Sequence, residues 1–267
     1  MTIKVCVCGA CGRMGRLVSA SVIGHPGMRI VAAVDRPDSP ELGRDMGDLT
    51  GMKMTGVQVS GSDELEKTLR SAKPDVIVDF TVAEAAVRNM LRAVSLGINI
   101  VVGTTAIPEH SLERLREAVK KKGTSAVISP NMATGVNVVF ELAGQLAKLL
   151  PDYDIEIVEA HHSGKLDSPS GTAMRLGEIL ADITGRKLRF GRHGKSERGD
   201  EIGIHAVRAG DIAGEHTVLF AGPGERIELT HRAGSREPFV KGVVKAIQFV
   251  AGKHDGKAYG MGEVLGL

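Results

Sequence analysis

Apolar positions in the first half of the chain fall into short unbroken runs: Lys4–Val7, Ile30–Val34, Val76–Phe80, Ile98–Val102 and Ala126–Ile128. Continuous apolar character, without polar alternation, marks strands covered on both faces. Between the runs, apolar residues recur at helical spacing over Arg13–Ile23, Asp63–Ser71, Ala83–Ser95 and Pro108–Lys122. Pro108 suits the first turn of a helix, where its missing N–H costs nothing. Regular strand–helix alternation predicts βαβ units and a parallel sheet. Arg36–Gly56, rich in Gly, Asp and Pro, reads as a loop.

The pattern changes after Asn131. Thr134–Leu150 reads as a helix, Asp152–Ala160 as a strand, and a second helix begins near Ser170. Ile202–Val207, Glu215–Phe220 and Arg226–Thr230 read as strands joined by Gly-containing turns, and Pro238–Ala251 as a last helix before a tail at Met261–Leu267. The expected fold is α/β. A Rossmann-like doubly wound parallel sheet (residues 1–130 with 239–267) binds a dinucleotide. An α+β domain with an open mixed sheet (131–238) binds substrate.

Composition narrows the function classes. The 267 residues are enough for two modest domains with full cores. A net charge of +2 gives no field that would demand nucleic acid or an anionic membrane. With no Trp, two Tyr and six Phe, stacking platforms for single strands are scarce. No run of about 18 apolar residues predicts a membrane span, and no signal peptide is expected, so the chain reads as cytoplasmic. Cys6, Cys8 and Cys11 sit in one segment, which argues against a disulfide framework. They read as small buried side chains, with no fourth ligand near enough to make a metal site.

Gly9, Gly12 and Gly15 lie between the first strand and the first helix, spaced G-x-x-G-x-x-G. Such glycines permit a tight turn, close approach to a pyrophosphate, and packing of helix on strand. The helix start adds free N–H groups and a positive dipole end. Asp35, twenty residues beyond Gly15 at the end of the next strand, is placed to bind ribose hydroxyls. Arg36 follows directly and suits a 2′-phosphate, so either NADH or NADPH is expected. Gly103, Thr104 and Thr105 follow another strand, where the ligand crevice of such sheets forms.

The segment EAHHSGKLDSPSGTA runs from Glu159 to Ala173. His161 and His162 supply imidazoles, of which His161 could act as a general acid, Lys165 an ammonium, and the stretch Pro169–Thr172 a helix start with Ser170 or Thr172 near its cap. Together they suit an acidic small molecule that must be protonated.

GACGRMG, DFT at Asp79–Thr81, GTT, SPNMATGVN, EAHHSGKLDSPSGTA, RAGDIAGEH and LTHRAGSRE occur in this order. The chain thereby resembles the dihydrodipicolinate reductases over essentially its whole length. The EAHH–K–D–PSGTA element is specific to that family, and the glycine triplet is not. The resemblance implies NAD(P)H-dependent reduction of 4-hydroxy-tetrahydrodipicolinate in lysine and diaminopimelate biosynthesis, with hydride passing to C4 of the ring. It implies His161 as general acid and Lys165 as charge stabiliser. His162, Lys165, Ser170, Gly171, Thr172 and Thr105 would hold the substrate's carboxylates. Gly9, Ala10, Gly12, Arg13, Met14, Gly15, Asp35, Arg36, Phe80, Thr81, Gly103, Thr104 and Thr105 match cofactor positions. Pro130, Asn131 and Met132 match the interdomain hinge that lines the nicotinamide pocket. A homotetramer built through the second-domain sheets is a further implication, and the two linkers, at about Asn131 and near Pro238, suggest hinge closure over substrate.

Ala106 departs from the GTTG of many members. A positive φ there would be strained by its Cβ, whereas an ordinary conformation would not. Two other readings compete with the resemblance. Another amino-acid-pathway dehydrogenase leaves His161-His162 unexplained, and aspartate-semialdehyde dehydrogenases need a catalytic Cys that this chain lacks beyond Cys11. A nucleotide-sensing module would need a basic recognition helix that is not seen.

Overall fold

The computed structural model describes residues 2–267, which divide into two compact units: 2–133 with 239–266, and 134–238 with 267. Among the described residues no helix is long and apolar enough to cross a membrane.

The first unit is built on strands β1 (Ile3–Cys8), β2 (Met28–Asp35), β3 (Val59–Gly61), β4 (Val76–Asp79), β5 (Asn99–Val102), β6 (Ala126–Ile128) and β12 (Ala258–Tyr259). All neighbouring strands are parallel, in the order β12-β6-β5-β4-β1-β2-β3. The order reverses between β1 and β4, and ligands bind such sheets outside the strand ends at that reversal. Helices α1 (Arg13–Gly24), α3 (Leu65–Ala72), α4 (Ala83–Ser95) and α5 (Glu109–Lys122) supply crossovers. Every residue of β4 and β5 is buried, as the unbroken apolar runs require.

One sheet face packs Cys6, Cys8, Ile77, Ile100 and Val102 against Leu69, Met90 and Leu115. The other packs Val5, Val7, Val78, Val101 and Val127 against Val18 and Val22 of α1. It is completed by Val243, Ala246, Ile247 and Val250 of α8 (Glu237–Val250). Buried Asn99 locks this return. Its amide donates to the Val250 and Lys253 carbonyls, both at 2.8 Å, and its oxygen accepts from Ser125 N at 2.8 Å.

Three elements depart from the expected loop and tail. Helix α2 (Met46–Thr50) lies inside the Arg36–Gly56 segment. Asp45 caps it by accepting from Gly47 N at 2.7 Å, Gly51 closes it at φ 69°, and Met46 and Leu49 bury beneath it. Five residues are too few for a periodic signal. Strand β12 and helix α9 (Met261–Leu265) occupy the tail, where the strand adds only two residues to the sheet edge.

The second unit carries a five-stranded mixed sheet, β11-β10-β7-β9-β8. Its strands are β7 (Asp154–His161), β8 (Lys187–Phe190), β9 (Glu201–Arg208), β10 (Glu215–Gly222) and β11 (Glu225–Arg232). β10 runs antiparallel to β7 and β11, whereas β9 runs parallel to β7 and β8. Helices α6 (Thr134–Leu149) and α7 (Gly171–Thr184) bury Ile155, Ile157, Ile202, Ile204, Val218 and Phe220 on one face. Val158 and Val207, which point the other way, are 37% and 44% exposed. Strand β8 was not anticipated: it is an edge strand with Phe190 exposed, so it needs no apolar run.

Candidate active site

In the first unit the chain leaves β1 at Gly9 (φ 72°) and turns so that Gly12 N donates to Gly9 O at 3.0 Å. A Cβ at Gly9 would meet the Phe80 carbonyl oxygen at 2.8 Å, and one at Gly15 would meet Gly9 O at 2.0 Å. The first glycine lets two strand ends approach, and the third lets α1 pack onto the turn. Gly12 is the N-cap of α1 and supplies no side-chain cap, and the first turn holds no acidic residue. The helix start therefore keeps N–H donors for an anion.

A cleft of about 370 Å³ opens there, lined by Gly9, Gly12, Asp35, Arg36, Ser62, Phe80, Thr81, Arg88 and Asn89 among others. Asp35 Oδ2 accepts from Cys11 N at 2.7 Å, so this carboxylate also braces the glycine turn. Burial and the Asp35 charge push the Cys11 thiol up to about 11. Arg36 reaches Asp38 at 3.5 Å, with both side chains largely exposed. Arg13 is exposed and Met14 half-buried beside the turn. Ala10 and Met132 are sealed in the core, so they offer only backbone atoms. Pro130 is exposed, and buried Asn131 accepts from Ala133 N at 3.0 Å.

One carboxylate missed in the sequence organises the crevice. Asp79 is fully buried; its Oδ1 accepts from Thr81 N, Thr81 Oγ1 and Thr104 Oγ1 (2.8, 2.6 and 3.1 Å) and its Oδ2 from Asn89 Nδ2 (3.0 Å). Burial pushes its carboxyl above the usual range against the pull of these donors. The loops after β4 and after β5 both hang from this side chain. A Cβ at Gly103 would meet the Phe80 ring at 2.3 Å, which explains the glycine. Thr105 is exposed. Ala106 does take a positive φ, 57°, so the GTT loop turns through the left-handed region despite the Cβ.

In the second unit, His161 ends β7 with 12% of its side chain exposed. Lys165 follows in the loop and pairs with Asp167 at 2.8 Å; His162 is half-buried. Ser170 is the N-cap of α7, accepting from Ala173 N at 3.2 Å, and opens a helix whose first residues are Gly171 and Thr172. The structure therefore gathers His161, His162, Lys165 and the Ser170–Thr172 turn within one loop.

Three further residues join them, Glu159 from β7 itself and Arg208 and His216 from the flanking strands. Glu159, with no exposed surface, places Oε2 2.6 Å from His161 Nδ1 and accepts from Ser170 N at 2.9 Å. Arg208 of β9 donates to both Glu159 oxygens, at 2.9 and 2.7 Å. His216 of β10 sets Nε2 3.0 Å from Ser170 Oγ, its ring 5.2 Å from that of His161. Burial tends to raise the Glu159 carboxyl, but the bonds from Arg208, His161 and Ser170 outweigh it and hold it low. Burial lowers His161, against the opposing pull of Glu159. Burial and then the His161 charge lower His216 to about 4.

Chemically, the first unit presents a turn for a dinucleotide phosphate. The second presents an imidazole, an ammonium and a helix start, suited to donating a proton to a bound anion.

Comparison with known proteins places both units. Residues 3–132 match the family model for the dihydrodipicolinate reductase N-terminus, and residues 135–265 that for its C-terminus. The chain is 48% identical over 272 residues to the 4-hydroxy-tetrahydrodipicolinate reductase of Methanothermobacter thermautotrophicus, covering 99% of each chain. It is 48% identical to that of Methanocaldococcus jannaschii, covering 99% of this chain and 98% of the relative. A dipicolinate-bound dihydrodipicolinate reductase from Paenisporosarcina sp. TG-14 superposes with a TM-score of 0.80 at 26% identity, covering 97% of this chain and 98% of that one.

Proposed function

This chain belongs to the dihydrodipicolinate reductase family, and from that premise we propose how its residues divide the work. It reduces 4-hydroxy-tetrahydrodipicolinate to tetrahydrodipicolinate with NAD(P)H in lysine and diaminopimelate biosynthesis.

The first unit holds the dinucleotide. The Gly9–Gly12 turn and the N–H groups at Arg13 and Met14 receive the pyrophosphate, because a bare helix start is a ready anion site. Asp35 and Arg36 lie at the ribose end of the cleft, where a carboxylate accepts from hydroxyls and a guanidinium pairs with a 2′-phosphate. Phe80, Thr81 and Gly103–Thr105 form the crevice at the switch point, and residues 130–132 offer main-chain groups. The bound dinucleotide supplies a hydride.

The second unit holds and protonates the substrate. Lys165 and the Ser170–Thr172 turn neutralise dehydrated carboxylates, with His162 as a further polar contact. His161 delivers the proton to the ring carbon next to the one that accepts hydride. The observation that carries this reading is the single loop that assembles imidazole, ammonium and capped helix start at the C-terminal end of the central strand β7.

The working form is proposed as a cytoplasmic homotetramer joined through the uncovered face of the five-stranded sheet. Support comes from Val158 and Val207 lying exposed on a face that no helix of that unit covers.

The test is direct. NADPH or NADH absorbance falls when the protein is mixed with pyruvate, aspartate semialdehyde and the synthase that condenses them. No oxidation of either nucleotide would overturn the assignment.

A further inference from the structure

Glu159 is buried with four donors around two oxygens: His161 Nδ1 and Arg208 Nη1 on Oε2, Arg208 Nη2 and Ser170 N on Oε1. An ionised carboxylate only accepts, so the nitrogen 2.6 Å from it must carry a proton. Nδ1 is therefore protonated in neutral His161 as well as in the cation, and Nε2 is the atom that gains and loses a proton.

Gly214 supplies an independent observation from another segment. A Cβ there would sit 3.0 Å from His161 Nε2, so only a glycine leaves that nitrogen open. Gly214 also takes φ 155°, a backbone that side chains resist. Among the described residues Nε2 makes no hydrogen bond within the protein.

We propose that Glu159 and Arg208 form a positioning pair that fixes the Nδ1–H tautomer of His161 and aims Nε2 at the substrate across Gly214. The proposal deepens the reading of His161 as proton donor and rests on it. In the proton-transfer step the Nε2–H bond breaks and its electron pair stays on nitrogen. The new C–H bond takes its pair from the ring enamine, and solvent reprotonates Nε2. Arg208 keeps Glu159 anionic throughout, so the developing neutral imidazole never recovers its proton from Oε2. The charged and titratable groups facing His161 are Glu159 of β7, Lys165 of the following loop, Arg208 of β9 and His216 of β10. Orienting carboxylates of this type hold a catalytic imidazole in one tautomer.

The experiment is long-range ¹H–¹⁵N correlation of the histidine rings in the full-length protein, with His161 assigned from the signal missing in His161→Gln. Above its titration range His161 should show a protonated Nδ1 and a bare Nε2; the opposite tautomer overturns the proposal. Glu159→Gln should lower the His161 pKa by about one unit or more. It should also lower kcat by on the order of 10²-fold, while KM for NADPH and Kd for dipicolinate move less than about threefold.

Because Glu159→Gln strands Arg208, the pair Glu159→Gln/Arg208→Met removes both charges together and should lower the His161 pKa likewise. Unchanged titration of His161 in either folded variant overturns the proposal. Tautomer and titration are read without substrate. A chain with Nδ1–H that oxidises no NAD(P)H therefore supports the positioning and marks a failure of the family activity instead.

Discussion

Ser170 Oγ lies 3.0 Å from His216 Nε2, so the residue that caps α7 also anchors a buried imidazole on β10. With its folded pKa at about 4, below the ordinary 6.5, His216 is kept neutral in the native state. As pH falls through 6.5 the unfolded chain takes up a proton that the folded one refuses until about pH 4. Stability is thus complete above 6.5 and is lost on acidification across that window, by roughly 3 kcal/mol for this group. Urea unfolding of wild type and His216→Asn at pH 7 and pH 4 should show the wild type losing more by about that amount. Parallel losses would refute the assignment.

Among the described residues the Arg36 guanidinium pairs only with exposed Asp38, at a distance that contributes little, which leaves it available to a ligand. Arg36→Ala should raise KM for NADPH by about tenfold, equivalent to about 1.4 kcal/mol, and KM for NADH by less than twofold. Steady-state kinetics with both nucleotides decides. Equal effects would remove Arg36 from 2′-phosphate recognition.

Ala106 at φ 57° carries a Cβ where a glycine would be unstrained. Ala106→Gly should stabilise the first unit by about 0.5–1 kcal/mol, the residual after glycine's larger unfolded-state entropy is subtracted. A calorimetric midpoint at or below that of wild type would contradict the strain.

His161→Ala and Lys165→Ala remove the proposed proton donor and the proposed charge stabiliser for the bound anion. Each should lower turnover by on the order of 10²–10⁴-fold. The measurement is NADPH oxidation at saturating substrate, and near-wild-type turnover in either variant would withdraw that residue's role.

Val158 lies on the uncovered sheet face, its neighbour across β10 being Thr217, whose hydroxyl bonds that of Thr230 at 3.0 Å. If the proposed four-chain assembly uses this face, Val158→Asp should shift the mass in light scattering toward fewer chains, since an unpaired carboxylate buried there would oppose association. A mass that stays at four chains would move the interface elsewhere, and a monomeric wild type would remove it.

What the sequence made legible follows the range of the interactions. The fully buried strands are visible because each carries its own unbroken apolar run. Strand β8, at an edge, and helix α2, five residues long and held by Asp45 and Gly51, have no period to detect. The site divides the same way. His161, Lys165 and Ser170 lie close in the chain and read as one constellation. Arg208 and His216 reach it only because β9 and β10 flank β7 in a register that pairs Arg208 with His161 and His216 with Glu159. Register across three strands leaves no mark on local spacing. Glu159 stood inside the recognised motif, but its role needed the knowledge that it is buried and saturated with donors.

The return of residues 239–266 to the first unit has a consequence for biosynthesis. The face of the parallel sheet that carries Val5, Val7 and Val101 is sealed by Val243, Ala246 and Ile247, which are synthesised only after the whole of segment 134–238. The segment between them, 134–238, is continuous and holds its own core. It follows that the domain begun first during translation is finished second, and that a nascent chain halted before Phe239 carries an open apolar sheet face for chaperones to shield.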